Sequence, residues 1–215
     1  MTITLGAGEV SPVPAQCGPY RSAFDLARRL GFDVVAGHPE VGGARVIGDL
    51  IIEIDATAPL RVQHSRVARE LARVELVRAN TTSPTEEALA ELASRLLLPE
   101  APLRRLLGVG AELPDLYAAY PLATYELIVC RVAELADVVA TCWSKGHPTT
   151  RFLPPGRRGG PFGRPVRAER TLAARAMAAP ASLSGPGRSR AWSVSEVAGP
   201  DVVTLLDAAC ALRSA

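Results

Sequence analysis

The stretch from Pro59 to Pro99 constrains this chain more than any other part of it. Pro59 opens a run in which Leu60, Val67, Leu71, Val74 and Val77 recur at spacings of three, four and seven, the pattern of one apolar helical face. That helix is expected to continue through Arg78, where Asn80-Thr-Thr-Ser-Pro84 breaks it. A second helix then starts with Ser83 as N-cap, Pro84 at the first position and Glu86 three residues after the cap. It runs through Leu98 and stops at Pro99. Any fold for this chain has to be built around these two helices.

Shorter elements flank them. Tyr20 to Leu30 reads as a helix with Phe24, Leu26, Ala27 and Leu30 on one face, stopped by Gly31. Phe32–Ala36 reads as a strand, and the β-branched run Val46–Ile54 as one or two more, with Gly42-Gly43 supplying the turn. Downstream, short helices are expected over Pro102–Leu107 and Pro114–Tyr120. A strong amphipathic helix is expected over Thr124–Val139, using Leu127, Ile128, Cys130, Val132 and Leu135. After Trp143 the character changes. Residues 146–165 are rich in Pro, Gly and Arg and read as a loop or extended arm. A helix over Arg167–Ala179, a strand over Trp192–Val197 and a final helix over Asp201–Leu212 complete the reading. The organisation expected is an irregular lead-in (1–19), a main domain (20–143), an Arg/Gly/Pro-rich connection (144–190) and a C-terminal strand-helix unit (191–215).

Composition sets the class. Hydrophobic residues make up 48% and charged ones 21%, so a sizeable core is affordable; aromatics at 5% mean that it is made of Ala, Leu and Val. Lys145 is the only lysine, and the Arg excess reads as compositional bias. A net charge of +2 selects no partner, but the segment from Lys145 to Arg190 is strongly basic with Glu169 as its one acid, and the rest of the chain is net acidic. Cys17, Cys130, Cys142 and Cys210 form no CxxC, and no His stands at zinc-finger spacing. MTITLGAGEV has no charged region followed by an apolar core, so no signal peptide is expected. No apolar run reaches the roughly 18 residues of a membrane helix. The expected compartment is the cytoplasm, with reduced thiols.

The segment Arg61-Val-Gln-His-Ser-Arg-Val-Ala-Arg-Glu-Leu-Ala-Arg73 resembles the part of ImmA/IrrE-type metallopeptidases that begins with an Arg and ends in HExxH. The first His, the Glu and the second His of that motif fall on Arg69, Glu70 and Arg73. Thirteen residues beyond Arg73, Glu86-Glu-Ala-Leu-Ala-Glu-Leu-Ala-Ser-Arg-Leu-Leu-Leu-Pro99 is similar to the family's acidic-ligand helix, which ends in LLMP. Glu86 takes the third-ligand position, or Glu87 if the register slips. The strand Leu50–Asp55 and the helix at Thr124–Leu135 match in place and character, so the resemblance runs from about Phe24 to Leu135. It implies an α+β fold: a zincin-like, ImmA/IrrE-type helical domain with a small sheet, here followed by a short α/β C-terminal extension.

Two histidines at i and i+4 share a helix face and present two neutral imidazoles to one zinc, and the Glu between them acts as base on the metal-bound water. Arginine cannot replace them: its guanidinium stays protonated and has no free lone pair. Zinc, the family's cofactor, is therefore not expected, and no other cofactor is predicted. Family-type peptidase activity is not expected either, although Glu70 is retained at the general-base position.

Plainer readings exist for each residue. Arg66–Glu70 and Glu70–Arg73 are surface pairs worth a few tenths of a kcal/mol, and Glu86 is the acid of a capping box with Ser83. The sharper expectation is that Arg69 or Arg73 pairs with Glu86 and Glu70, a guanidinium standing where the metal would be. His64 is a lone histidine five residues before Arg69, and His38 and His147 have no partner at ligand spacing. Cys130 reads as a small core residue.

The function expected is a catalytically degenerate, bacterial or phage-like pseudo-metallopeptidase that acts as a protein-binding regulatory module. The resemblance implies a DNA-binding repressor as partner. One alternative is an active zinc metallopeptidase with unrecognised ligands. Another is a nucleic-acid-binding protein using the 145–190 segment, with Arg151, Arg157, Arg158, Arg164, Arg167 and Arg170 on phosphates and Phe152 and Phe162 stacked on bases. No membrane partner is expected.

Overall fold

The computed structural model describes residues 21–39, 43–136, 138–145, 147–154, 164–165, 167–178, 183–184, 190–193 and 202–207. Helix α1 (Ala23–Arg29) starts where the Ser22 side chain accepts from the Asp25 N–H at 3.2 Å. It ends before Gly31, whose φ of +86° is a left-handed conformation that costs other residues more. Three strands follow: β1 (Asp33–Gly37), β2 (Ala44–Ile47) and β3 (Ile51–Asp55). They form a sheet of order β1-β3-β2, with β3 parallel to β1 and antiparallel to β2. Ile52 and Ile54 alternate inward from β3 and are buried, while Ile51 faces solvent.

Helix α2 (Leu60–Arg78) lies against this sheet and buries Val62, Val67, Ala68, Leu71 and Ala72. Its end residues Leu60 and Val77, counted in the apolar stripe from sequence, are exposed. Helix α3 (Glu86–Leu97) is capped by Thr85, whose Oγ1 accepts from the Ala88 N–H at 3.3 Å. The cap is thus two residues later than the expected Ser83, and Glu86 is the first residue of the helix instead of a capping-box acid. Leu97 and Leu98 of the LLLP end are both buried, each stabilising by about 1.5–3 kcal/mol. The buried Arg131 guanidinium donates to the Leu98 carbonyl at 3.3 Å and satisfies that end. Helices α4 (Glu100–Gly108) and α5 (Leu113–Ala119) lead to α6 (Tyr125–Ala136), which is buried along Leu127–Ala133.

The region after α6 departs from expectation. The stretch ending at Val139 does not stay helical: β4 (Val138–Ser144) follows at once, buried on both faces. The Pro/Gly/Arg segment begins with a strand, β5 (His147–Phe152), not a loop. After α7 (Arg167–Ala178) come β6 (Leu183–Ser184), β7 (Arg190–Ser193) and β8 (Val202–Asp207). β8 stands where a helix was expected over Asp201–Leu212, and the part of that helix beyond residue 207 lies outside the described residues. The reason is visible in its burial. Val203 and Leu205 face the helical core while Val202 and Thr204 face α7, a period of two in which both faces are covered. Such a strand has no polar side to mark it as one.

These strands make one antiparallel sheet of order β5-β4-β8-β7-β6. One face packs on the helical core through Val138, Ala140, Cys142, Phe152 and Val203. The other is covered by α7 through Leu172, Ala173 and Ala176, which meet Trp143, Ala191 and Val202. The 143/144 boundary expected from composition therefore falls inside β4, which hydrogen-bonds to β5 on one side and to β8 on the other. The protein is an α+β fold. Among the described residues, no helix is long and apolar enough to cross a membrane.

Candidate functional site

Helix α2 places Arg61, Ser65, Arg69 and Arg73 four residues apart, so all four lie along one side of it. The first three hold the start of α6. Arg61 lies over the Tyr117 ring at 3.3 Å, with Tyr117 stacked on Tyr125, and donates to the Ala123 carbonyl at 3.0 Å. The Ser65 hydroxyl accepts from the Thr124 N–H at 3.0 Å. Arg69 donates one guanidinium nitrogen to Glu126, in the first turn of α6, and another to Glu86 at 3.2 Å, at the start of α3. Thr150 of β5 donates to the other Glu126 oxygen at 3.2 Å. One arginine thus gathers α2, α3 and α6, and Glu126 extends the cluster to β5.

Glu70 follows Arg69 directly, and Arg73 lies one helical turn on. Glu70 is buried and accepts from Arg73. Burial raises its pKa above the ordinary carboxylate range; the Arg73 hydrogen bond and charge oppose that shift, and the Glu86 charge adds to it. The structure therefore brings Arg69 to Glu86 and Arg73 to Glu70, within one electrostatic cluster. Glu126 is the member that sequence reading did not single out. Its only local signal was an acid in the first turn of a helix, where the helix dipole favours one anyway.

Chemically the cluster is a set of donors facing carboxylates. Arg69 and Arg73 offer protons and no lone pair, and one oxygen each of Glu70, Glu86 and Glu126 is engaged by a guanidinium. Among the described residues, no group of three or more His, Cys, Asp or Glu is arranged to hold a metal ion. His64 is turned away from the cluster. Its Nδ1 accepts from the Ala23 N–H at 3.1 Å, its ring stacks on Phe24 at 4.1 Å, and burial lowers its pKa to about 4. It is a neutral core histidine that ties α1 to α2. Cys130 is likewise internal, its thiol pushed up to about 12 by burial.

The basic segment is divided by the fold. Arg157, Arg158 and Phe162 lie outside the described residues. Arg164, Arg167 and Arg170 are exposed. Arg151 is not a surface cation: it donates to Glu169 and to the Thr141 hydroxyl, each at 2.6 Å, and Glu169 is fully buried. Phe152 is in the core and cannot stack on a base, a correction to the sequence reading.

No protein-family model matches the chain, and no curated protein matches it by sequence. A solved structure does match in fold: a Mycobacterium tuberculosis transcriptional regulator, with a TM-score of 0.58 over 89% of this chain and 82% of that one, at 15% identity. The likeness is one of fold.

Proposed function

We propose that this chain is a metal-free, non-catalytic regulatory protein on an ImmA/IrrE-type scaffold, acting through a protein partner whose expected class is a DNA-binding repressor. The observation that carries the reading is Arg69. On the resemblance it stands where the family has a zinc-binding imidazole; it bonds Glu86, which the resemblance puts at the third-ligand position, together with Glu126. A guanidinium there does the cross-linking work of a cation: it draws carboxylates from two helices onto a third. It supplies no Lewis acid and activates no water. A regulatory setting is also supported by the fold likeness to a transcriptional regulator.

Metal analysis of the purified full chain after incubation with zinc and desalting is the direct test. The reading expects substoichiometric zinc and no peptidase activity. Stoichiometric zinc that disappears in Glu86→Gln overturns it in favour of an active metallopeptidase. The regulatory part is tested by affinity capture from the native host. Recovery of an intact DNA-binding protein supports it; recovery of no such protein, or of one cleaved by the purified chain, overturns it.

A further inference from the structure

A cleft of about 490 Å³ opens between α7 and the β4–β5 hairpin, on the opposite face of the sheet from the Arg69 cluster. Its volume falls within the range of small-molecule sites. Trp143, Ala173, Ala174 and Met177 give it an apolar wall, and Arg170 and His147 line it with groups that can donate hydrogen bonds. The Arg170 Nε donates to the Pro165 carbonyl at 3.1 Å, which steadies the guanidinium, and its two terminal nitrogens have no acceptor among the described residues. No carboxylate lines the cleft among the described residues. The nearest acid in sequence, Glu169, is turned inward and neutralised by Arg151. The cleft therefore combines an apolar wall with unengaged donors of positive or neutral charge and no competing anion.

We propose that this cleft binds a small amphipathic carboxylate, with its apolar body against Trp143 and Met177 and its carboxylate on Arg170. A guanidinium presenting two nitrogens matches a carboxylate's two oxygens. A ring or short alkyl group suits the wall: Met sulfur and Trp pack well on flat apolar surface, and the small Ala173 and Ala174 leave the room for it. The site is separate from the Arg69 cluster and does not depend on the regulatory reading of it.

The test is isothermal titration calorimetry on the full chain with phenylacetate, hexanoate and the uncharged isostere phenylacetamide. Phenylacetate or hexanoate is expected to bind with a dissociation constant on the order of a millimolar or tighter, and the amide roughly tenfold or more weaker. Arg170→Gln, at an exposed position, should weaken the carboxylate roughly tenfold or more and leave the amide unchanged. Ala174→Phe, also at an exposed position, should abolish binding of both by filling the cleft. Circular dichroism shows whether each variant is folded, and Arg170→Gln alone suffices if Ala174→Phe is not. No binding of either carboxylate to the wild-type chain overturns the proposal. Equal binding of acid and amide overturns it too, as does binding indifferent to Arg170→Gln.

Discussion

Thr150 and Arg151 are consecutive in β5 and leave the sheet on opposite faces. Thr150 donates to Glu126 in the Arg69 cluster, and Arg151 donates to the buried Glu169 of α7. These two polar clusters are therefore reached one residue apart along a single strand, separated by the thickness of the sheet. From Glu169 the second cluster continues through Thr141 and Thr204 to the indole N–H of Trp143, which donates to Thr204 at 2.8 Å. One strand thus ties the helical half of the fold to the layer formed by α7.

Arg69 is expected to be a stabilising cross-link. Its pair with Glu126 is partly buried, with side-chain exposures of 19% and 28%, whereas Glu86 is 73% exposed and its pair contributes little. Arg69→Ala should lower unfolding free energy by about 1–3 kcal/mol, because Glu126 then keeps the Thr150 hydrogen bond but loses the guanidinium that offsets its charge. In urea unfolding, a double-mutant cycle of Arg69→Ala with Glu126→Gln should be non-additive by roughly 0.5 kcal/mol or more, and the cycle with Glu86→Gln close to additive. Additivity in the Glu126 cycle would mean that the bond carries no net stability.

Glu169 is the most exacting polar residue in the second layer. It is fully buried, and it accepts from Arg151, Thr141 and Thr204. Glu169→Ala removes the carboxylate that faces the largely buried Arg151 guanidinium and should cost about 3–5 kcal/mol. Glu169→Gln keeps an acceptor and should cost less. Chemical denaturation of the two variants gives the comparison, and a cost below about 1 kcal/mol for Glu169→Ala would show that the network is not holding α7 on the sheet.

His64 makes stability depend on pH. Its pKa is about 4 in the folded chain against an ordinary 6.5, because burial disfavours imidazolium; the nearby Asp25 charge pulls weakly the other way. Between those values the unfolded chain holds a proton that the folded chain does not. The contribution is complete above pH 6.5 and is lost as pH falls towards 4, up to about 3 kcal/mol in all. Glu70 works with the opposite sign: its pKa is raised, chiefly by burial, so its folded form takes up a proton more readily and gains as pH falls. His64→Gln, which keeps an acceptor for the Ala23 N–H, should flatten the slope of stability between pH 4.5 and 6.5 relative to wild type. A titration of the His64 imidazole itself near its ordinary 6.5 in the native chain, followed by assigned NMR, would contradict the account.

What the sequence revealed follows from which elements have a polar side. α1, α2, α3, β2 and β3 each have a buried and an exposed side, and their positions are readable from the sequence to within a few residues. β4 and β8 are covered on both faces, so Val138-Val139 merged with the helix before it and Val202–Leu206 passed for a helical run. β5 was hidden because His147, Pro148 and the two threonines that follow look like loop, and only Phe152 anchors it in the core. In the site, Arg69, Arg73, Glu70 and Glu86 were reached through motif resemblance. Glu126 was not, because its partner is 57 residues away and no local period links them. Arg151 and Phe152 look like surface residues for the same reason: the carboxylate that pairs with Arg151 and the core that takes Phe152 are supplied by distant elements.

Imidazoles at positions 69 and 73 would share the α2 face on which Arg69 now reaches Glu86 at 3.2 Å. Two neutral imidazoles and one carboxylate are a three-ligand set that zinc accepts, with Glu70 left beside it as a base. The double variant Arg69→His, Arg73→His is expected to bind one zinc per chain, and addition of Glu86→Gln to remove it. Release of the Arg69 bond frees Glu126, so an additional Glu126→Gln change separates ligation by Glu86 from ligation by Glu126. Metal content is measured alongside circular dichroism to confirm that the variant is folded. A folded double variant that takes up no zinc would mean that positions 69, 73 and 86 do not correspond to a metal site, and the ImmA/IrrE-type reading would go with it.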